Sequence, residues 1–157
     1  MKKIHALILA GTLIGLVPAH AIAAPGQVTL QSEVKLEKTV VENGKPRQVL
    51  IEPKTVLPGE RLLFTTRYAN NGATPATNFV VTNAVPGPVK VAPESAANLV
   101  VSVDGGKSWG KLASLKVADG KGAVRGAQAS DITHLRWTIP VIAPASGGKV
   151  EYEGIVR

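Results

Sequence analysis

Residues 58–86 constrain the fold most, because they hold two extended, alternating runs separated by a turn signal. In residues 61–69 apolar and aromatic side chains recur at every second position, the period of a half-buried β-strand. The sequence Asn70-Asn71-Gly72 can supply the positive backbone angle of a turn. A β-branched run then resumes at Phe79 and stops before Pro86. The stretch therefore predicts two sandwich strands closed by a tight turn.

The same alternation occurs before this stretch. Residues 27–38 alternate apolar with polar side chains and predict a long first strand with one polar face. Asn43-Gly44 then predicts a hairpin, in which Pro46 favours a loop of four residues and Val49 and Ile51 face inward. The prolines at 53 and 58 interrupt backbone donation, so the segment between them is predicted to be an edge or a crossover between sheets.

Two more strands are predicted toward the C-terminus. In residues 132–139 the alternation places Trp137 in the core and His134 exposed on the outer face. Residues 150–156 alternate in the same way and predict a final strand that pairs centrally. Residues 140–148, rich in Pro and Gly, are predicted to form the hairpin loop between them, and residues 87–98 a connection from one sheet to the other. No segment has helical period, so we expect an all-β, antiparallel β-sandwich of about seven to nine strands in one domain.

The N-terminus has the features of a signal peptide, residues 1–23. Lys2-Lys3 precedes a short apolar run, expected to be helical, and Ala21-Ile22-Ala23 offers a cleavage site that leaves Ala24 first. The run is too short for a membrane span of about 20 residues. We therefore predict an exported protein, periplasmic or secreted, with a single mature domain at residues 24–157 and no stable membrane span after cleavage. A membrane anchor that stays in place is the alternative.

The composition excludes several functional classes. The chain has no Cys, which excludes a disulfide framework and a lipid anchor on an N-terminal Cys. The net charge of +7 comes from scattered Lys and Arg, without the basic patches and interleaved aromatics of nucleic-acid binding, so we expect no nucleic-acid partner. His134 is the only His after residue 23, and a metal site of the usual His or Cys type cannot be assembled. We expect no cofactor.

Residues 102–109 fit the Ser-x-Asp-x-Gly-x-x-Trp pattern of the Asp-box hairpin. The pattern predicts that Asp104 accepts amide hydrogens of the turn, that Gly106 takes a special backbone angle, and that Trp109 packs back on the hairpin. We interpret the motif as structural. A ligand-contacting role is the alternative, and calcium is disfavoured because one carboxylate cannot supply the six to eight oxygens that the ion requires.

The same residues also satisfy the G-x-S-x-G pattern of α/β-hydrolases, at residues 106–110, with Asp131 and His134 following in hydrolase order. That elbow requires a strand, a sharp turn and a helix, and Ser108 lies instead between an Asp-Gly-Gly turn and a strand-like run. We therefore predict no catalytic residue and no enzyme.

The stretch at 58–86 also carries a resemblance, through Pro58-Gly59, Tyr68-x-Asn70-x-Gly72 and Ala76-Thr77-Asn78. These residues resemble the bacterial "conserved repeat domain", the domain of unknown function numbered eleven, here in a single copy. Family members usually carry an Asp after the second strand, where this chain has Asn83. The resemblance implies an immunoglobulin-like sandwich that serves as an envelope or surface building block, without enzymatic activity.

Two functional classes follow from these features. The first is an exported, non-catalytic structural or protein-interaction module of the cell envelope, whose partner is an unidentified envelope protein or polymer. The second is a small binding protein for a carbohydrate or another envelope polymer, disfavoured because most of the six aromatic residues occupy inward-facing positions. The sequence predicts no oligomeric state. Residues 54–57 and the outer face of the first strand are where we expect an open edge to be guarded or offered to a partner.

Overall fold

The computed structural model describes residues 27–120 and 122–157. The predicted signal peptide, residues 1–23, lies outside the described residues. The described chain forms ten strands, one single-turn helix and two short 3₁₀ turns. These are β1 (Val28–Glu42), β2 (Lys45–Ile51), β3 (Arg61–Asn70), β4 (Ala76–Ala84), β5 (Val89–Val91), α1 (Pro93–Ala96), β6 (Val100–Ser102), a 3₁₀ turn (Leu112–Ser114), β7 (Lys116–Ala118), β8 (Val124–Gly126), a 3₁₀ turn (Ala129–Asp131), β9 (His134–Ile142) and β10 (Gly147–Val156). No described helix is both long enough and apolar enough to cross a bilayer.

The strands form two antiparallel sheets that pack face to face, plus a small hairpin. The larger sheet has the order β2-β1-β3-β10-β5, the smaller one β4-β9-β6, and β7 pairs only with β8. The prediction of an all-β antiparallel sandwich is confirmed. The final strand, β10, lies between β3 and β5, as its alternation predicted.

The core lies where the smaller sheet covers the larger one. Tyr152 of β10 is 2% exposed, stacks on Phe64 of β3 with 4.6 Å between ring centroids, and lies 6.3 Å from Trp137 of β9. The residues of β10 that were predicted to face inward are all buried: Val150, Tyr152, Gly154 and Val156. Burial of a large aromatic side chain stabilises a domain by roughly 2 to 3 kcal/mol, so this column of rings contributes much of the packing.

The two sheets are offset. Asn83 of β4 donates a hydrogen bond to Thr66 of β3 at 2.8 Å, while β9 packs over β10 and β6 over β5. The smaller sheet therefore covers β3, β10 and β5. The other two strands of the larger sheet, β1 and β2, extend beyond β4, and we call this pair the overhang.

The two strands of residues 58–86 do not form the predicted hairpin. They do not pair with each other, because β3 belongs to the larger sheet and β4 to the smaller. The turn between them has no positive backbone angle at residues 70–72. Instead, the Asn70 side chain is 1% exposed and bridges the sheets: its Nδ2 donates to Thr74 O and to Ile142 O, both at 2.9 Å, and its Oδ1 accepts from the Gly72 amide at 3.0 Å. A Cβ at Gly72 would overlap the Gln27 side chain, so a larger residue there would require Gln27 to move.

The hairpin between β1 and β2 has a shorter loop than predicted. Glu42 pairs with Lys45, so the loop contains two residues and not four, and Asn43 and Gly44 both have positive φ, 53° and 73°. These angles match the right-handed twist of the strands. Pro46 is tolerated because it lies on an edge strand and follows the hydrogen-bonded pair that closes the turn, where its missing N–H would face outward.

The prediction that Ile51 faces into the core is also wrong, since its side chain is 43% exposed. Ile51 pairs with Leu36 and therefore shares the core-facing side of the sheet. It nevertheless lies on the overhang, where the smaller sheet does not cover it. Alternation identified the correct face of the strand, but that face extends beyond the core.

Pro140 does not begin a hairpin loop. β9 continues through Pro140 to Ile142, and β9 and β10 belong to different sheets. Opposite Pro140 in the β4–β9 register stands Asn78, whose φ is +51°. Beyond this point the buried side chains change parity in both strands, so that Ala76 and Ile142 face the core. Asn78 and Pro140 therefore mark the point at which the ends of both strands rotate and present their other face to the core.

Two connections also differ from prediction. Residues 87–98 contain β5 and α1, and they bury Val89, Val91, Ala92 and Ala96. Residues 53–57 are irregular, connect two strands of the same sheet, and line a cavity with Val34 and Leu62. β1 lies inside its sheet, so the sheet edges are β2, β5, β4 and β6.

Candidate functional site

The Asp104 carboxylate organises the loop after β6. Its Oδ1 accepts hydrogen bonds from the amides of Lys107 and Ser108 at 3.0 and 2.9 Å and from Ser102 Oγ at 2.7 Å. Its Oδ2 accepts from Ser108 Oγ at 2.6 Å. These bonds, with those from Ser108 first, hold the pKa of Asp104 far below its ordinary value near 3.8.

The backbone of this loop requires glycine. Gly105 and Gly106 have φ of 78° and 88°, which L side chains rarely adopt. The Gly106 amide donates to Ser102 Oγ at 2.9 Å, and the Gly105 amide donates to Thr133 Oγ1 at 3.0 Å. The loop is thereby tied to the residue that precedes β9.

Trp109 closes the loop and packs across β9. Its Nε1 donates to Gly106 O at 2.9 Å. The guanidinium of Arg136 lies 3.6 Å from the centre of the Trp109 ring, and His134 approaches the ring at 6.3 Å in an edge-to-face arrangement. His134 is therefore half-buried and not exposed as predicted. One face of the indole is occupied by a cation of the same chain.

We predict that Asp104→Ala lowers the melting temperature by a few degrees at pH 7, because four donors lose their acceptor. Asp104→Asn keeps an acceptor at Oδ1 and serves as the control without a titratable group. The folded pKa of Asp104 is depressed, so its stabilising effect is present above about pH 4 and is lost as the pH falls further. The stability difference between wild type and Asp104→Asn should therefore shrink below pH 4 in thermal scans. A difference that stays constant with pH would contradict this assignment.

The three residues that match the hydrolase pattern, Ser108, Asp131 and His134, are bonded to other groups. Ser108 Oγ donates to Asp104, and Asp131 forms a two-pronged ion pair with Arg125 at 2.6 and 2.7 Å, which lowers the pKa of Asp131. His134 Nδ1 lies 3.1 Å from Thr133 Oγ1. The serine, the acid and the imidazole thus each have a different partner, and the arrangement is not that of a nucleophile, base and orienting acid.

The remaining residues singled out in the sequence occupy turn, groove and core positions. Gly59, with φ of 90°, forms a tight turn with Pro58, and its amide donates to Val156 O at 2.9 Å. Tyr68 lies on the core-facing side of β3, and a Cβ on Gly148 would overlap its ring. Trp137 packs against the main cluster of buried side chains.

Ion pairs cover the outer face of the larger sheet. Arg61 contacts Glu94 and Glu153, and these two carboxylates raise its pKa. Arg67 pairs with Glu33 at 2.9 Å on the same face. Exposed pairs of this kind contribute at most about 1 kcal/mol each, so we interpret this face as solvated rather than as a binding site.

Sequence reasoning missed the open edge of the smaller sheet. β4 pairs with β9 on one side, and within residues 27–120 and 122–157 no strand pairs with its other side. The strand has nine residues with neither charge nor proline, and Val80 at its centre is 45% exposed. Natural sheet edges are normally guarded by Lys, Pro, bulges or covering loops. Only the positive φ of Asn78 near one end interrupts this edge.

A groove runs between this edge and the overhang. The core-facing side chains Leu30 and Ser32 of β1 are exposed, although they lie on the same face as the buried Leu36. They form the floor of the groove, and β4 forms its wall. Val34, further along the same face, packs in the cluster of Leu36 and Val89 beneath residues 53–56 and closes this end of the groove. A cavity of about 250 Å³ at its base is lined by residues of β1, β3, β4 and β10, among them Ser32, Thr66 and Asn83.

Comparison with known proteins adds no relative. No family model, no curated protein and no solved structure matches the chain. In the part of the chain that the structure describes, no group of three or more His, Cys, Asp or Glu side chains could hold a metal ion.

Proposed function

We propose that this chain is an exported, non-catalytic structural or protein-interaction module of the bacterial cell envelope. The observation that carries the proposal is the open edge of β4, nine residues long and uncharged. Such an edge offers unpaired backbone groups to another chain, and soluble proteins that do not use it usually block it. An unguarded edge therefore favours a function in binding a partner.

Two further features support the proposal. The sequence of residues 1–23 has the features of a signal peptide, which supports a function outside the cytoplasm. The resemblance of residues 58–86 to the conserved repeat domain also implies an envelope building block. Both features are consistent with a protein that binds a partner and does not catalyse a reaction.

A carbohydrate-binding function has less support. Sugar sites commonly use an open aromatic face for stacking. Phe64 and Tyr152 stack on each other inside the sandwich, and Arg136 covers one face of Trp109. An envelope protein is therefore favoured over an envelope polymer as the partner.

Crosslinking in intact cells with a lysine-reactive reagent, followed by mass spectrometry, tests the proposal. We expect a reproducible crosslinked envelope protein, and no turnover in a hydrolase screen run beside it. A turnover that disappears in Ser108→Ala or His134→Ala, but persists in the control Ser114→Ala, would overturn the proposal. So would the absence of any crosslinked partner.

N-terminal sequencing of the mature protein tests the export step. We expect the chain to begin at or next to Ala24, because residues 21–23 form an A-x-A cleavage site. A membrane-bound product that retains Lys2 and Lys3 would contradict export by cleavage.

A further inference from the structure

We infer that the groove between β4 and β1 accepts one extended strand from a partner protein, which adds a fourth strand to the smaller sheet. This inference rests on the proposed function and specifies how the partner binds. The larger sheet has five strands and the smaller one only three, and the uncovered position lies beside β4 and above β1. The groove thus has the shape of a sandwich that lacks one strand.

The wall of the groove supplies the hydrogen bonds. The amide of Val85 donates to Thr133 O at 2.8 Å, in the same register that pairs β4 with β9. Backbone groups of an antiparallel strand alternate between its two sides. Phe79, Val81 and Asn83 therefore direct their amides and carbonyls toward β9, while Val80 and Thr82 direct theirs into the groove. These groups can pair with an incoming strand.

The floor of the groove determines which side chains fit. Leu30 and Ser32 lie two positions apart on this face of β1, and Leu30 is 49% exposed. Side chains on one face of a strand are about 7 Å apart, so residues i and i+2 of an incoming strand would match them. Both floor residues are uncharged.

The inward side chains of the partner are specified by this floor. At its centre, Ser32 Oγ lies 3.1 Å from Thr66 Oγ1, which also accepts a hydrogen bond from Asn83 Nδ2 at 2.8 Å. An apolar side chain suits the position over Leu30, and a small or hydroxyl side chain suits the position over Ser32. A charged side chain pointing inward would lose its hydration without gaining an ionic partner.

The width of the overhang limits how many strands of a partner can bind in the groove. Two strands of the larger sheet project past β4, which corresponds to about 10 Å at the usual strand spacing. One extended strand fits above them. A second copy that paired edge to edge through its own β4 would bring its own β1 and β2 into the same layer, where the two overhangs would collide. The geometry therefore favours a single extended segment over a symmetric dimer.

Site-specific photocrosslinking in cells tests this inference. A photoreactive residue is placed at position 30 or 32 on the floor, and at position 124 on the distant β7–β8 hairpin as an exposed control. We expect adducts from the two floor positions to map to one segment of one partner, with attachment points about two residues apart, as in an extended strand. Position 124 should not give that adduct.

Two substitutions provide the matched test. Ser32→Arg places a charge on the floor, and Val80→Pro removes an amide that faces the groove without breaking a bond to β9. Each should reduce the adduct formed from position 30 at least tenfold. Thr29→Arg, on the outer face of the same strand, should leave it unchanged. Melting temperatures of the three variants show whether each remains folded, and Ser32→Arg decides the outcome if Val80→Pro does not fold.

The possible failures are distinguishable. If lysine crosslinking finds an envelope partner but the floor positions give no adduct, the groove is not its site, and the inference is wrong while the proposed function stands. Floor adducts that join two copies of this chain, or that Ser32→Arg leaves intact in a folded protein, would also overturn the inference. No partner by either method would reject both.

Discussion

Asn70→Asp should destabilise the sandwich by about 4 kcal/mol at pH 7, measured by urea or thermal unfolding. The Asn70 side chain is almost completely buried and donates to two carbonyls, Thr74 O and Ile142 O, at 2.9 Å. The substitution replaces this donor with an oxygen that faces both carbonyls. Each carbonyl left unsatisfied costs about 1 to 3 kcal/mol, and a buried unpaired charge adds to that cost.

Asn71→Asp is the matched control for this prediction. It makes the same chemical change one residue further along, where the side chain is exposed and contacts only Thr29 Oγ1 at 3.0 Å. We expect a loss of less than about 0.5 kcal/mol there, as is usual for surface positions. Equal effects of the two substitutions would show that Asn70 does not hold the sheets together.

Tyr152→Ala should cost about 3 to 5 kcal/mol, because it removes a buried aromatic ring from between Phe64 and Trp137 and leaves a cavity. Tyr152→Phe retains the ring and should cost far less. Burial raises the pKa of Tyr152 from 10.0 to about 12. Because the folded pKa is the higher one, the stability contributed by the neutral phenol is present below pH 10 and is lost as the pH rises toward 12.

The Tyr152→Phe variant therefore also tests the pH dependence. Wild type should lose stability relative to Tyr152→Phe between about pH 10 and pH 12 in denaturant titrations. A similar loss in both proteins would show that other groups cause the alkaline unfolding. A small effect of Tyr152→Ala would show that the ring column is not central to the core.

Alternation in the sequence predicted which face of each strand turns inward, but not which strands are neighbours. The inward positions of β3 and β10 were predicted correctly from period alone, since that period reflects the pleat of a single strand. The pairing of β3 with β4 was wrong because Asn70-Asn71-Gly72 has the composition of a hairpin turn. The role of Asn70 depends on Ile142, which is 72 residues away in the sequence.

Local rules also failed where strand pairing decides the outcome. Pro140 alone predicts the end of a strand, yet β9 passes through it because Pro140 lies in a non-hydrogen-bonded pair with β4, so its missing N–H breaks no bond to that strand. The groove was missed for a related reason. Leu30 and Ser32 show the same alternation as the buried Leu36, and nothing local indicates that the covering sheet stops at β4. The lack of any charge in residues 76–84 was the only available signal of an unguarded edge.

Amide hydrogen exchange, measured at residue resolution in β4, tests whether the smaller sheet ends at an open edge. The amides of Phe79 and Val81, directed toward β9, should be protected as strongly as those of β9 itself. The amides of Val80 and Thr82, directed into the groove, should exchange orders of magnitude faster. Uniform protection along β4 in the isolated protein would mean that the edge is already covered and that no strand of a partner can pair with it.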